Sequence, residues 1–440
     1  MLCRACLTGK PLVLIMKIYN EKQILDLLSG RGGLADESVS RSVSEIISNV
    51  RKNGDRALME YCRKFDGTDV DHLELSADEI RSAASKADPV LIDTMKTAAK
   101  NIEEYHIKQL SEGYEIKRGG RTLGRTVRPL KRVGVYVPGG TAAYPSTVLM
   151  NCIPARVASV EEIILVTPPK EGGISPAIAA AAEIAGVTRI FTVGGAQAVA
   201  ALAFGTESIP RVDKIVGPGN AFVAEAKRQV FGAVDIDMIA GPSEVLIVSD
   251  GSADPEYIAA DLLAQAEHDK NASAILITTD EKQIKAVGEA IERQLNALER
   301  ESIARTAIEN YGGAVLCETI EQAFSVADKI APEHLEILTC SPREHLNFVK
   351  NAGSVFIGEY TCESLGDYFA GTNHVLPTNG AARYASPLSC DDFVKKMSYL
   401  EYTKDAFAED ALCVERFAKA EGLTAHANAA AVRRKNAEKK

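Results

Sequence analysis

The feature that most restricts the fold is a set of short β-branched runs, of which the first four end in turns that contain glycine or proline. The first four runs, with alanine-rich, helix-like sequence between them, occupy residues 132–140, 163–169, 190–195 and 214–220. A second series occupies residues 245–248, 273–279, 313–317 and 353–358. Strands that alternate with helices indicate parallel sheets with helical crossovers. The sequence therefore predicts an α/β protein with two Rossmann-like parallel-sheet domains and with helical N- and C-terminal extensions.

The segment before the first strand series shows a different pattern. Apolar residues recur at helical spacing over residues 42–54 and 76–106, with charged residues between them, so helices are predicted across 20–110. His72 and His106 lie among charged residues there and are expected to be exposed.

Charge and cysteine usage limit the classes of protein that this chain can belong to. The net charge of −10 disfavours nucleic acid as the main partner. No apolar run approaches the roughly 20 residues that a membrane span needs. Nine cysteines without regular spacing are typical of a reduced intracellular protein, so a cytoplasmic location is expected. Residues 1–15 are interpreted as an extension upstream of a natural start at Met16. The isolated Cys3-x-x-Cys6 pair is interpreted as having no metal-binding or redox role.

The glycine-rich turns that end the first four strands suggest a ligand site. Ligands of parallel sheets bind at the carboxyl ends of the strands, where these turns lie. Glycine lets the backbone approach a pyrophosphate, and the N-terminus of a following helix favours an anion. No complete G-x-G-x-x-G is present, and residues 217–219 form only a fragment of it. Nucleotide binding and ordinary tight turns are therefore both compatible with this pattern.

A second motif lies after the strand at 245–248. Gln265 and His268 stand three residues apart in an apolar stretch, which predicts a largely buried helix that carries both on one face. Neutral imidazole is a common zinc ligand, whereas glutamine is an unusual one. The motif therefore indicates either a hydrogen-bonded core histidine or half of a metal site.

Further polar residues stand in apolar or glycine-bearing contexts. They are His334, His374, His426 and Asp367, and Glu333 lies beside His334. Histidine, glutamine and aspartate without thiolates suit zinc at a catalytic centre rather than a structural one. Adjacent glutamate and histidine side chains supply two acid–base groups. Each residue alone could be structural, but with the glycine-rich turns the set predicts a metal-assisted dehydrogenase.

Eight motifs in a fixed order resemble those of the histidinol dehydrogenase family. They are GVYVPGG at 134–140, VGGAQA at 193–198, GPGNA at 217–221, AGPSE at 240–244, QAEH at 265–268, PEHL at 332–335, GTNHVLPT at 371–378 and EGLTAH at 421–426. The resemblance covers residues 17–435, and the first fifteen residues are its main departure. It implies an oxidoreductase that uses zinc and NAD to oxidise L-histidinol to L-histidine through bound L-histidinal, in the last steps of histidine biosynthesis.

The resemblance also implies roles for individual residues and an assembly. It implies one zinc ion per subunit, held by Gln265, His268, Asp367 and His426. It implies Glu333 and His334 as the catalytic acid–base pair, and cofactor contacts from Tyr136, Gln197 and Asn220. Besides the zinc ligands and His334, it implies substrate contacts from Ser243, His374 and Glu421. It implies a homodimer whose active site is shared between subunits, with no membrane or nucleic-acid partner.

These expectations divide the chain into four parts. The first part, residues 1–38, is an N-terminal extension with a helical segment. An α/β domain that carries most of the zinc and catalytic residues comprises 39–135 and 243–388. Residues 136–242 form an inserted Rossmann-like domain with the cofactor contacts. Residues 389–440 form a helical tail that reaches the partner subunit.

Two rival functions also fit the residues. One is a zinc hydrolase in which Glu333 activates water and the glycine-rich turns are only structural. The other is a dehydrogenase of the same fold that acts on a different small alcohol. Glu421, His374 and His334 favour histidinol, because all three side chains can contact an amine or an imidazole.

Overall fold

A computed structural model of the chain describes residues 16–29, 31, 37–139 and 144–438. The predictions for residues 1–15 and for Gly140 lie outside the described residues. The strands are β1 Ile18–Tyr19, β2 Tyr114–Arg118, β3 Arg121–Pro129, β4 Arg132–Tyr136, β5 Glu162–Thr167, β6 Arg189–Thr192, β7 Lys214–Val216, β8 Asp235–Ile236, β9 Glu244–Ser249, β10 Ser273–Thr278, β11 Gly312–Leu316, β12 His334–Leu338, β13 Ser354–Ile357 and β14 Val394–Tyr402.

The helices cover the segments between these strands and both termini of the described chain. They are α1 Glu21–Ser29, α2 Glu37–Tyr61, α3 Ala77–Ala84, α4 Pro89–Ile107, α5 Pro145–Val157, α6 Pro176–Ala185, α7 Gly195–Phe204, α8 Ala221–Val230, α9 Pro255–Ala266, α10 Glu281–Leu295, α11 Glu301–Tyr311, α12 Ile320–Ile330, α13 Pro342–His345, α14 Glu363–Tyr368, α15 Lys404–Ala420 and α16 Thr424–Glu438.

Two parallel sheets form the framework and share one strand order. The smaller sheet runs β6-β5-β4-β7-β8, and the larger runs β1-β11-β10-β9-β12-β13. Apart from the edge strand β1, each sheet therefore places its strands in the order third, second, first, fourth, fifth. Every strand pair in both sheets is parallel. This arrangement confirms the predicted α/β fold with two Rossmann-like parallel sheets.

Alternation along the strands explains why helices cover both faces of each sheet. In β9, Val245 and Ile247 belong to the core under α9, α10 and α11, whereas Leu246 and Val248 belong to the core under α1 and α12. Successive side chains of a strand point to opposite faces, so a strand that is apolar throughout must be buried on both sides. Each fully buried aliphatic side chain contributes about 1.5–3 kcal/mol.

The N-terminal helices pack differently from the prediction. Val43 and Leu58 of α2 join Val199 of α7 in the core on one face of the smaller sheet. Ile102 of α4 joins the core on its other face, under α5 and α6. The structure therefore groups these helices with the smaller sheet and not with residues 243–388. The predicted boundary at 135/136 also cuts through β4. An apolar stripe shows that a helix is covered, but not which sheet covers it.

The chain forms a third sheet that the sequence did not predict. Strands β14, β3 and β2 pair antiparallel in that order. The C-terminal segment, predicted to be wholly helical, therefore begins with a long strand before α15 and α16. Nearly every residue of β2 and β14 is exposed in the chain. A strand without a buried face lacks the apolar alternation by which strands are identified.

His106 is buried, contrary to the prediction, whereas His72 is exposed as predicted. His106 lies on the inner face of α4, and its Nε2 is 3.1 Å from Nδ2 of Asn373. The same Asn373 amide nitrogen donates to the backbone oxygen of Met150 at 2.8 Å. The charged neighbours of His106 in the sequence lie on the other side of the helix, so local composition was misleading. Burial lowers the pKa of His106 to about 4.

We expect the free energy of unfolding to fall as the pH drops from the ordinary histidine pKa of 6.5 towards 4, because the unfolded chain then binds a proton that buried His106 does not. The His106→Gln variant places an amide at this position, whose oxygen can accept the hydrogen bond from Asn373, but it has no titratable group. Its stability should therefore decline less over this range. Urea unfolding of both proteins at about pH 7 and about pH 5 measures the difference. An equal decline in both would exclude a contribution from His106.

Candidate active site

A cavity of about 280 Å³ lies between the two parallel sheets. On one side it is lined by Pro138 and by 217–220, which follow β4 and β7 at the carboxyl ends of these strands. On the other side it is lined by Ser243, Glu333 and His334, at the amino ends of β9 and β12. The smaller sheet thus faces the cavity with the carboxyl ends of its strands, as expected, whereas the larger sheet faces it with the amino ends. Eight predicted site residues line the cavity: Asn220, Ser243, Gln265, His268, Glu333, His334, Asp367 and His374.

The two adjacent acid–base residues begin strand β12 and are buried. Oε2 of Glu333 accepts a hydrogen bond from the backbone N–H of Glu244 at 2.9 Å. Nδ1 of His334 lies 3.0 Å from the backbone oxygen of Glu244 and 3.0 Å from Nε2 of Gln265. A carbonyl oxygen can only accept, so the contact with Glu244 requires a hydrogen on Nδ1. Nε2, the other ring nitrogen of His334, lies 3.5 Å from Oδ1 of Asp367.

The electrostatic surroundings shift the pKa of each of these groups. Burial, reinforced by the carboxylate of Glu244, raises the pKa of Glu333 to about 8. Burial alone would lower the pKa of His334, but the carboxylates of Glu363, Glu333 and Asp367 raise it well above its ordinary value. Burial opposes the ionisation of Asp367, yet its interaction with His334 keeps its pKa below the usual range. Perturbed groups that converge in one cleft are typical of an active site.

Gln265 and His268 both line the cavity, but they do not share one helix. Helix α9 ends at Ala266, so Gln265 occupies its last turn and His268 lies in the turn that follows. The backbone N–H of His268 bonds to the oxygen of Gln265 at 3.2 Å, a tighter pattern than that of an α-helix. The prediction that one helical face carries both side chains is therefore wrong. Gln265 and His268 nevertheless line the same cavity.

The donor atoms around the cavity suit a metal such as zinc. Ligand atoms of His334, Glu363 and Asp367 all lie within 4.8 Å of one another. Nε2 of His334 and Oε2 of Glu363 are buried without a hydrogen-bond partner among the described residues. Gln265 and His268 line the same cavity, so nitrogen and oxygen donors converge there. Such a donor set fits a catalytic zinc site.

Three carboxyl groups next to this site were not predicted as site residues: Glu336 and Glu363, which are buried, and Asp261, which is half-buried. Burial raises the pKa of Glu363 to about 8 and that of Asp261 to about 6. Burial also raises the pKa of Glu336 well above its ordinary value, and Asp261 reinforces this effect. Glu336 lies two residues after His334 in β12, so a predicted strand at 334–338 would have placed both on one face. No sequence signal identified Glu363, which approaches from α14.

The predicted cofactor residues line a second cavity of about 550 Å³ at the carboxyl end of the smaller sheet, namely Tyr136, Gln197 and Asn220. The hydroxyl of Tyr136 accepts the backbone N–H of Gly195 at 3.1 Å. The side-chain oxygen of Asn220 caps α8 by accepting from the backbone N–H groups of Phe222 and Val223 at 3.0 and 3.1 Å. Asn220 lines the first cavity as well, so the two cavities adjoin.

A buried ion pair holds the turn between β7 and α8. Lys227 pairs with Asp237, and both side chains are almost fully buried. Lys227 Nζ donates to the oxygen of Gly217 at 3.0 Å, and the N–H of Gly217 donates to Asp237 at 2.8 Å. Gly217 has a φ of 108°, and a Cβ there would lie 2.2 Å from the backbone oxygen of Tyr136. Glycine is therefore required for this close approach.

The structure does not bring Glu421 and His426 to the cavity of their own chain. Glu421 caps the C-terminal end of α15, and His426 lies in the first turn of α16. Both residues are exposed, and neither lines either cavity. Apart from these two, every predicted catalytic, metal, cofactor and substrate residue lies in one of the two adjoining cavities.

Comparisons with known proteins identify the family. The family model described as histidinol dehydrogenase matches residues 30–434. A Clostridium acetobutylicum histidinol dehydrogenase is 54% identical over 92% of this chain and 95% of its own length. The Lactococcus lactis histidinol dehydrogenase is 52% identical over 94% and 96%. A crystal structure of histidinol dehydrogenase from Elizabethkingia anophelis has 40% identity and a TM-score of 0.91, and covers 96% of this chain and 98% of its own.

The chain therefore belongs to the histidinol dehydrogenase family, and it is an oxidoreductase of histidine biosynthesis. The expected resemblance is confirmed, and the hydrolase alternative is set aside. Within the described residues, no helix combines the length and the apolar character needed to cross a membrane.

Proposed function

We propose that this protein oxidises L-histidinol to L-histidine in two steps, with NAD⁺ as the oxidant and L-histidinal as a bound intermediate. The observation that carries the proposal is the convergence of Glu333 and His334 with nitrogen and oxygen donors in one cavity, which adjoins a second cavity at Asn220. The relatives named histidinol dehydrogenase supply the choice of substrate. We also propose a cytoplasmic location, as the scattered cysteines suggest.

Gln265, His268, Asp367 and His426 would hold one zinc ion per subunit. When bound, zinc supplies a positive centre that can orient the imidazole and amine of the substrate or polarise its oxygen. Ser243, His374 and Glu421 would contact the substrate around it. Tyr136, Gln197 and Asn220 would contact the cofactor, with its phosphates near the N-terminus of α8.

His334 and Glu333 divide the proton transfers in this proposal. In the first step, Nε2 of His334 takes the proton of the alcohol while a hydride leaves its carbon, which yields the aldehyde. In the second step, Glu333 takes a proton from water as the water oxygen bonds to the aldehyde carbon, and a second hydride leaves. The sum converts one alcohol, one water and two NAD⁺ into one carboxylate, two NADH and three protons. A pKa of about 8 lets Glu333 both take and return protons near neutrality.

The two predicted site residues outside the cavity support a shared site in a homodimer. Glu421 and His426 are exposed and lie away from the cavity of their own chain. The C-terminal segment that carries them also exposes large apolar side chains: Leu400 is 71% exposed and Phe417 is 75% exposed. Association with a second copy would remove such apolar surface from water. The second copy would bring its own Glu421 and His426 to the cavity.

The overall reaction is tested by incubating the zinc-loaded protein with limiting L-histidinol and excess NAD⁺. We expect two NADH per L-histidinol consumed and no free aldehyde, because the intermediate stays bound. Absorbance of NADH and chromatography of the products give both numbers. One NADH per alcohol with aldehyde in solution, or no NADH at all, would contradict the proposal.

The division of labour is tested with Glu333→Gln and His334→Asn. Glutamine keeps the shape of Glu333 but cannot take the proton of water, so aldehyde oxidation should fall by about 10²–10⁴. Reduction of supplied L-histidinal by NADH needs no water attack and should largely survive. His334→Asn should instead impair the interconversion of alcohol and aldehyde. Equal slowing of both half-reactions in Glu333→Gln, with zinc and substrate still bound, would refute this assignment.

The shared site is tested by mixing inactive His268→Ala subunits with inactive His426→Ala subunits. A heterodimer of these contains one intact site, because the second chain offers His268 and the first offers His426. We expect activity to return on mixing. The control mixture, His268→Ala with Gln265→Ala, should stay inactive because every cavity carries a lesion. If proven heterodimers of the first mixture are inactive, the site is built within one chain.

A further inference from the structure

The acid–base pair is held by two residues that do not line the substrate cavity. We propose that Glu244 and Arg31 are positioning residues for Glu333 and His334, and that their ion pair sets the catalytic rate without binding substrate, zinc or cofactor. This inference rests on the proposed roles of Glu333 and His334. It goes beyond them, because neither Glu244 nor Arg31 belongs to the predicted site residues.

Glu244 contacts both members of the acid–base pair through three different groups. Its backbone N–H donates to Oε2 of Glu333 at 2.9 Å, and its carboxylate Oε2 accepts the backbone N–H of Glu333 at 3.2 Å. Its backbone oxygen lies 3.0 Å from Nδ1 of His334. The two glutamates therefore hold each other reciprocally across the amino ends of β9 and β12. The backbone of Glu244 also fixes which nitrogen of His334 faces the cavity.

Two buried carboxylates side by side need a cation, and Arg31 provides it. Each carboxylate loses hydration on burial, and the two repel each other. Arg31 forms an ion pair with Oε1 of Glu244, and the two side chains are 1% and 9% exposed. The same Oε1 accepts the backbone N–H of Asn379 at 3.0 Å. The carboxylate of Glu244 is thus held by Arg31, by Asn379 and by Glu333 at once.

Arg31 also holds the turn that carries a predicted substrate residue. Its Nη1 donates to the backbone oxygen of Ser243 and its Nη2 to that of Pro242, both at 3.3 Å. One guanidinium, two residues beyond the end of α1, therefore contacts the turn before β9 and is linked through Glu244 to the start of β12. A planar guanidinium can serve several acceptors in fixed directions, which the ammonium of lysine cannot.

The positions of Arg31 and Glu244 distinguish a positioning role from the role of the residues that line the cavities. Neither Arg31 nor Glu244 is among the residues that line the substrate cavity or the cofactor cavity. Loss of the pair should therefore leave the binding of zinc, substrate and cofactor close to normal. It should slow both half-reactions, because Glu333 and His334 both depend on Glu244. A merely structural ion pair would change the melting temperature and leave kcat unchanged.

The test compares Arg31→Met, Arg31→Lys and Glu244→Gln with Glu292→Gln as a matched control. Glu292 of α10 is also a poorly exposed carboxylate and pairs with Arg305 of α11, but neither residue lines the cavity. In both half-reactions we expect kcat to fall roughly 100-fold in Arg31→Met and Glu244→Gln, the size typical of a displaced acid–base group. KM for L-histidinol and the zinc content should stay within about twofold, as for an interaction made in the transition state.

Arg31→Lys keeps the charge but not the fork of donors, so it should retain about tenfold more activity than Arg31→Met. The double variant Arg31→Met/Glu244→Gln should be no slower than the slower single variant, because the pair acts as a unit. If Arg31→Met does not fold, the losses of kcat in Arg31→Lys and Glu244→Gln test the positioning role.

An unchanged kcat in the folded variants, or a loss confined to KM or zinc content, would overturn the proposal. An equal loss in Glu292→Gln would show a general effect of stability and would overturn it too. The unmodified protein is assayed first with L-histidinol and NAD⁺. Inactivity there refutes the proposed function, whereas a normal parent with unaffected variants refutes only the positioning role.

Discussion

The parallel pairing of β9 with β12 is the interaction on which the site depends. The register places Val245 opposite His334, so Glu244 and Glu333 meet just before the two strands begin to pair. A slip of one residue would turn His334 and Glu336 to the other face of the sheet, because the side chains of a strand alternate. The apolar cores on both faces of β9 hold this register. The apolar packing along β9 and β12 thus fixes the positions of Glu244, Glu333 and His334 at the amino ends of these strands.

The two sheets share one strand order but face the first cavity with opposite edges. In the smaller sheet, the carboxyl ends of β4 and β7 carry glycine-rich turns and the cavity that we propose for the cofactor. In the larger sheet, the amino ends of β9 and β12 carry the acid–base pair. The first cavity lies where these edges face each other, and Asn220 belongs to both cavities. Burial raises the pKa of Asp261, Glu336 and Glu363 behind His334, and a bound divalent cation would favour their ionised forms.

The sequence predicted the parts of the protein in which local pattern and burial agree. β-branched runs located eight strands of the two parallel sheets but missed β1, β8 and β12. The family resemblance supplied ten residues that the structure brings into the adjoining cavities. The prediction failed where the information lies in tertiary contacts. The charged neighbours of His106 in the sequence suggested that it is exposed. Only the fold shows that its ring is buried beside the side chain of Asn373. Strand β14 is exposed and has no buried face, so its sequence lacks the apolar alternation that identifies a strand. Glu363 and Arg31 come from distant segments, and no spacing in the sequence links either to His334.

We propose that the cavity of one chain becomes a zinc site only when a second chain completes it. Anomalous scattering at the zinc edge, from crystals of the zinc-loaded protein, would locate the metal. We expect one peak per subunit, in contact with Gln265, His268 and Asp367 of one chain and with His426 of the partner subunit. A peak held by His334, Glu363 and Asp367 of a single chain, with His426 still in solvent, would contradict it.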